Sequence, residues 1–430
     1  MAESHHRPRL ITPRTRWLAG LVILLHIAFY VAALSNKSYL VDDSIQYLTL
    51  TENLSQHGIF SQAYEAPLDP DLQRPPGYPV LLLLCGGMPW LVLLIQHLMV
   101  LLTGYFLFRL LQQWTGEKWA RRGAFFWLLQ PYPILMSSYI LSEAPFISLL
   151  ALGLWMYTKW RSCGCWKRLT IALLGFIVAI YMRPIGMIFL LPIGIDMLVH
   201  AIRRRKPREV AIGLLLPLLL IAPWVIRNGQ ATGQYTFSSM GPMGMLHGRI
   251  GGMEAEKQGL PAEEHHWFMA GDSVGVQKTG LRGLKTYYGK GQTHETEFYH
   301  AGTGLAVTHF LNHPLEAIAF QAKTLYKMLR GVGYGWANKT FTSKPAAIAS
   351  AILQALCNLL LFGGTLLAFL HLKSLPPGGR TLIFAMLLTY LASMAVWADG
   401  RYRVPIDLIH LVLATTALAL WTKKKRPNLE

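Results

Sequence analysis

The feature that most constrains this chain is a recurring apolar run, first met as "WLAGLVILLHIAFYVAAL" at positions 17–34. About 18 apolar residues are enough for a helix to cross the hydrocarbon core of a bilayer. Runs of this kind recur near 90–111, 123–138, 142–159, 168–182, 185–201, 209–226, 347–371, 380–397 and 404–422. The third, fifth and sixth are short or interrupted by proline, so the expected total is about ten spans, between nine and eleven. Only 14% of the 430 residues are charged, against about 25% in soluble domains. The expected fold class is an all-α polytopic integral membrane protein. A further apolar piece, "GYPVLLLLCGGM", is too short to cross and reads as a re-entrant or interfacial helix leading into the second span.

The basic residues orient these spans. With the N-terminus in the cytoplasm, the inside segments are "HHRPRLITPRTR", "GEKWARR", "KWRSCGCWKR", "RRRKPRE", "HLKSLPPGGR" and "KKKRP", all of them basic. The net charge of +18 is therefore a topology signal, helped by anionic membrane lipids, and calls for no nucleic-acid partner. The first span lacks a small-residue cleavage site, so no cleavable signal peptide is expected. The expected organisation is a cytoplasmic N-terminus (1–16) and an N-terminal transmembrane catalytic module (17–227) that includes an outer loop at 35–78. A large outer loop (228–346), C-terminal transmembrane helices (347–422) and a cytoplasmic tail (423–430) follow. Within the large loop, "HPLEAIAFQAKTLYKMLR" reads as an amphipathic helix with Leu315, Ile318, Ala319, Ala322, Leu325 and Met328 on one face. Such a helix lies on the bilayer surface or packs on the bundle.

Laying this topology over the polar residues gives the functional signal. Asp42 and Asp43 follow span one, and Arg74 precedes the short apolar helix. Glu143 opens span four, Arg183 lies between spans five and six, and Arg227 ends span seven. Asp399, Arg401 and Arg403 lie between spans nine and ten. All fall on the outer face, which the positive-inside rule depletes of arginine. Taken singly, each has a structural reading: an arginine at a helix end snorkels or caps carbonyls, and Glu143 is a first-turn acid favoured by the helix dipole. Collectively, acids and guanidiniums from six connections converge on one interface. Guanidiniums suit a phosphate headgroup, and carboxylates suit proton removal from a hydroxyl or a divalent cation.

The motifs in order are "DSIQY" (Asp43 to Tyr47), "LTENLSQHGIFS", "RPPGYPVLL", "SEAP", "MRPIG", "PWVIRN" and "RYRVP". With them the chain resembles the GT-C superfamily of polyprenyl-phosphate-sugar-dependent glycosyltransferases, in the bacterial branch related to protein mannosyltransferases and the lipid A aminoarabinose transferase. The resemblance implies a GT-C-type bundle in the inner (plasma) membrane, with both termini cytoplasmic and the active site outside. It implies a hexosyl- or pentosyltransferase that takes its sugar, with inversion, from a polyprenyl (undecaprenyl-type) monophosphate carrier. The acceptor would be a glycan, lipid or protein. Asp43 would be the principal acid-base residue, with Asp42 beside it and Glu143 as second acid. Arg74, Arg401 and Arg403, and more weakly Arg183 and Arg227, would meet the donor phosphate; Tyr47, Tyr78 and Tyr402 would line the substrates. Some relatives hold a divalent metal (Mg, Mn or Zn), for which Asp42, Asp43 and Glu143 would be the ligands. Glu143 stands where many relatives have Asp, and no large C-terminal soluble domain is apparent, so the acceptor is poorly constrained.

The two adjacent aspartates also admit a capping role, since Asp43 and Gln46 have capping-box spacing; family spacing makes Asp43 the base, and capping geometry alone would reverse the pair. Rival classes are a transporter or lipid-linked glycan flippase and an O-antigen-ligase-like enzyme with a lipid-diphosphate donor; transporters place their polar groups nearer mid-span. The remaining signals are weaker. "HETEFYH" (His294 to His300) has irregular metal spacing and reads as a polar loop, and "GPMGMLHGRIGG" lacks the strand-to-helix context of a nucleotide loop. Cys85 and Cys357 sit in apolar surroundings, and the Cys163/Cys165 pair offers too few ligands for a closed zinc site.

Overall fold

The computed structural model describes residues 13–245, 253, 304, 307–330, 334–340, 343–396 and 403–425. Among them every regular element is a helix. In chain order these are α1 (Pro13–Ser35), α2 (Asp42–His57), α3 (Gly77–Leu84), α4 (Pro89–Thr115), α5 (Glu117–Leu129), α6 (Pro131–Ser137), α7 (Glu143–Cys163), α8 (Trp166–Met182), α9 (Gly186–Arg203) and α10 (Pro207–Thr232). Then follow α11 (Met240–Met243), α12 (Pro314–Arg330), α13 (Tyr334–Thr340), α14 (Lys344–Leu370), α15 (Gly379–Val396) and α16 (Val404–Lys425), with one short 3₁₀ turn at Leu372–Ser374. Among the described residues, nine of the ten segments expected to span are each covered for most of their length by one helix. Six helices (α1, α4, α9, α10, α14 and α16) are long and apolar enough to cross a membrane, and α15 is a shorter apolar helix.

The third expected span is not one helix. Gln130 has an extended backbone (φ −67°, ψ 132°) between α5 and α6. Pro131 enforces this, because its ring disfavours a helical residue before it. The break leads into the centre of the molecule, where residues 130–148 are all buried. The bundle closes around this segment: α4 packs on α5 and α7, α7 along α8, and α14 along α16. By contrast, α10 is peripheral, with 6% of its apolar window buried against 72% for α16.

The short apolar piece after Arg74 is α3, and Gly86 and Gly87, both with positive φ, turn it into α4. Gly77 at its start is required by space: a Cβ there would lie 2.6 Å from the Tyr181 carbonyl oxygen at the end of α8. That approach sets the Arg74 segment beside the α8–α9 turn that carries Arg183.

The apolar face of α12 is turned mostly away from the bundle. Met328 is buried, but Leu315 and Ile318 are 81% and 66% exposed, and Ala317 and Thr324 take the inward positions instead. A chain surrounded by hydrocarbon has no need to turn its apolar stripe inward, so the helical period gives the stripe but not its direction.

Candidate active site

The site is built at the end of the bundle where α1 ends and α7 begins. There α2 starts at Asp42 after an extended Val41. The Val41 N–H donates to the Ser44 hydroxyl (3.1 Å), and no side chain caps the helix. The capping role considered for the aspartates is therefore not used. Asp42 is exposed. Asp43, Gln46 and Tyr47, spaced i, i+3 and i+4, share one face of the first turns, and all three engage Arg74.

Arg74 is the hub. One terminal nitrogen donates to Asp43 Oδ1 (2.6 Å) and to Gln46 Oε1 (2.6 Å), Nε donates to Gln46 Oε1 (3.1 Å), and the other terminal nitrogen reaches the Tyr47 hydroxyl (3.4 Å). Its guanidinium lies 4.9 Å from the Tyr47 ring centroid, a cation–π contact. The Tyr47 hydroxyl meets the Ser142 hydroxyl (3.0 Å), which also accepts from Arg183 (3.3 Å). Arg183 in turn pairs with Glu143 Oε1 at 2.7 Å. Asp43, Arg74, Tyr47, Ser142, Arg183 and Glu143 thus form one continuous network drawn from four parts of the chain: the start of α2, the α2–α3 loop, the α6–α7 turn and the α8–α9 turn.

The network is not saturated. Glu143 is 1% exposed, and its Oε2 has no hydrogen-bond partner among the described residues. A buried carboxylate oxygen left open is costly, and this one sits at the N-terminus of α7. The Asp43 carboxylate retains 16% exposure, so the network reaches the surface.

The loop that delivers Arg74 is clasped by Asp71. Its carboxylate accepts from the Gln73 N–H (2.9 Å), the Arg74 N–H (3.1 Å) and the Gln62 side chain (3.1 Å). Burial pushes the Asp71 carboxyl up from its ordinary value, against the lowering effect of these donors and of the Arg74 charge. Arg227 holds the same loop from behind. It donates to the Asp71 carbonyl (3.0 Å) and stacks near Trp224 (4.9 Å) and Phe60 (5.6 Å). Tyr78 lies edge-on to Tyr47 (4.7 Å between centroids), and its hydroxyl donates to Gln96 (2.6 Å). The Gln96 amide donates to the Ser137 and Tyr139 carbonyls (3.0 and 2.6 Å), and the Ile140 N–H donates to Tyr39 (2.9 Å). These bonds fix the turn bearing Ser142 and Glu143 against the start of α2.

Arg403 lies elsewhere. It is buried and paired with Asp407 one turn on (2.9 Å), donates to Asn358 (2.5 Å) and to the Met328 and Leu329 carbonyls (3.2 and 2.5 Å), and faces Phe362. It caps the C-terminal end of α12 rather than joining the Arg74 network. Asp399, Arg401, Tyr402 and the His294–His300 segment lie outside the described residues. Sequence reasoning passed over Asp71, Gln96 and Ser142, and weighed Gln46 only as a capping partner. Gln46 had a usable signal in its i+3 spacing from Asp43, and the buried glutamine in an apolar span was the signal for Gln96.

The residues proposed for a metal do not fit one well. Asp43 and Glu143 are each bound to a guanidinium, and the described residues contain no group of three His, Cys, Asp or Glu side chains placed to hold an ion.

Residues 78–226 match the family of dolichyl-phosphate-mannose-protein mannosyltransferases, a segment that contains Ser142, Glu143 and Arg183. The fold is similar to AglB, the oligosaccharyltransferase of Archaeoglobus fulgidus solved with an inhibitory peptide and a dolichol-phosphate. The two share 13% identity and a TM-score of 0.50, over 96% of this chain and 51% of that one. The family match covers about a third of the chain, and the likeness to AglB is one of fold. Other similar structures are ArnT from Cupriavidus metallidurans bound to undecaprenyl phosphate (13% identity, TM-score 0.40, 97% of this chain and 81% of that one) and the arabinosyltransferase EmbB from Mycobacterium smegmatis (14%, 0.38, 98% and 43%). No curated protein matches in sequence. Asp43 and Arg74 precede the matched segment and Arg227 follows it by one residue.

Proposed function

We propose that this glycosyltransferase moves a sugar, with inversion, from a polyprenyl monophosphate to an acceptor at the outer face of the inner membrane, using the Asp43–Arg74–Glu143 network. The carrying observation is that network itself: two acids and two guanidiniums from separate loops, linked through Tyr47 and Ser142, with one buried carboxylate oxygen open. The dolichol-phosphate held by the archaeal relative is the donor chemistry that these guanidiniums would meet here.

The resting Asp43–Arg74 pair makes a definite sequence of events attractive. A donor phosphate competes with Asp43 for the Arg74 guanidinium, since a phosphate accepts its planar fork as well as a carboxylate does. Arg74 changes partner, and Asp43 becomes a stronger proton acceptor once its cation is taken. The acceptor hydroxyl oxygen then forms its bond to the anomeric carbon as the carbon–phosphate-oxygen bond breaks. The hydroxyl proton passes to Asp43, and the electron pair of the broken bond leaves with the polyprenyl phosphate. Arg74 and Arg183 stabilise that developing charge. Glu143 orients Arg183 with one oxygen and offers the other to a sugar or acceptor hydroxyl. Holding donor and acceptor in register supplies much of the acceleration.

The test is to give purified protein radiolabelled polyprenyl-phosphate sugars with candidate acceptors. Release of free polyprenyl phosphate together with labelled acceptor supports the reading. Movement of intact lipid across vesicles without release, or turnover only of lipid-diphosphate donors, would replace it.

A further inference from the structure

At the end of the bundle opposite the Asp43–Arg74 network, α9 and α10 are joined by a turn carrying four successive cations, Arg203 to Lys206. We propose that this turn and the groove beside it bind the phosphodiester headgroup of an anionic phospholipid. The groove has a volume of about 520 Å³ and is lined by Ile202, Arg205, Lys206, Pro207, Val210 and Ala211, within the size range of small-ligand sites. The main-chain N–H groups of Arg204, Arg205 and Lys206 bond back to the carbonyls of His200, Ile202 and Ala201 (3.1, 2.9 and 3.0 Å). This tightly wound turn leaves all four cationic side chains exposed.

The neighbouring charges are already committed, and these are not. Arg161 pairs with Asp196 (3.3 Å), and Arg208 lies over the Trp166 ring (3.6 Å). Asp196 also accepts from the Tyr157 hydroxyl (2.6 Å), and Glu209 accepts from the Trp160 indole (2.8 Å). Among the described residues no carboxylate pairs with Arg203, Arg204, Arg205 or Lys206. A phosphodiester supplies the missing anion, taking a guanidinium fork and an ammonium together.

The apolar side of the groove selects a lipid over a free phosphate. Away from the turn, α9 continues with exposed Ile195 and Leu191, and α10 with exposed Leu214 and Leu218. Acyl chains attached to a bound headgroup would lie along these rows. Basic pockets between membrane helices recognise anionic headgroups in this way.

The experiment exposes the purified full chain in detergent to mixed phosphatidylglycerol and phosphatidylcholine micelles and reads retained lipid by native mass spectrometry. Phosphatidylglycerol is expected to be retained in preference to phosphatidylcholine. Arg205→Gln with Lys206→Gln should lower its retention about fivefold to tenfold. Lys118→Gln with Arg122→Gln, which removes the same charge at the same end of the bundle, should leave retention unchanged. Ala211→Trp fills the groove without altering charge and should also release the lipid, in protein whose thermal midpoint matches the native one. Equal losses in the two charge-matched variants overturn the site in favour of diffuse attraction. Native retention in Ala211→Trp, or equal retention of the two lipids, overturns it as well.

Discussion

Among the arginine–carboxylate pairs of the described residues, Arg403–Asp407 and Arg74–Asp43 are built in opposite ways. Arg403 immediately precedes α16 and meets Asp407 one turn on, at 1% and 2% side-chain exposure, and neighbouring carbonyls and Asn358 take up the rest of the guanidinium. Arg74 and Asp43 come from different connections, keep 9% and 16% exposure, and belong to a network that ends on an open Glu143 oxygen. A pair closed on all sides can fix a helix but has no valence to offer a substrate. A pair assembled across loops, with slack in its network, can exchange partners when a phosphate arrives. Under the proposed function, the first pair is structural and the second reactive.

The largest expected effect lies on the reactive side. Asp43→Asn keeps the shape and a hydrogen-bond acceptor but removes the base. Transfer should fall about 10²- to 10⁴-fold, measured as labelled acceptor per mole of folded protein. Transfer close to native would remove Asp43 from the reaction.

Next is the closed pair. Arg403→Met leaves the Asp407 charge buried without its partner and should cost about 3–5 kcal/mol of stability, read by thermal or denaturant unfolding in detergent. Arg403→Met with Asp407→Leu should recover most of that loss. A stable Arg403→Met variant that fails to transfer sugar would instead put Arg403 in contact with the donor, as the motif "RYRVP" leads one to expect.

Arg74→Ala sharpens the contrast from the other side. Loss of a charged hydrogen-bond partner should weaken donor affinity by about 1.5–3 kcal/mol, roughly 10- to 100-fold. Arg74→Lys should recover only part, because an ammonium cannot reproduce the fork. Unchanged apparent donor affinity in Arg74→Ala would end its phosphate role.

How much of this was legible in the sequence follows from the range of each interaction. The membrane class and helix segments were readable because apolar runs and helix periods are local. The shared face of Asp43 and Tyr47 was readable for the same reason, as was the Arg403–Asp407 spacing in "RYRVPID", although it was not used. Partner choice was not readable. Nothing local says that Arg74 meets Asp43 while Arg183 meets Glu143, since those pairings depend on how the loops cross. The break at Gln130 was signalled by Pro131, but hydropathy alone carried the run across it. The outward stripe of α12 could not be oriented from its period, because a bilayer makes exposed apolar residues as acceptable as buried ones.

The smallest effect tests whether the network acts as a unit. The Tyr47 hydroxyl is the link between Arg74 and Ser142 (3.4 and 3.0 Å), while its ring packs against Tyr78 and under the guanidinium. Tyr47→Phe keeps the ring and deletes only the hydroxyl, at a cost of about 0.5–1.5 kcal/mol, or at most roughly tenfold in transfer. Combined with Ser142→Ala it should cost little more than either change alone, because both cut the same bridge. Fully additive losses would mean that the Arg74 and Arg183 halves work independently, and the comparison with the closed Arg403 pair would then rest on exposure alone.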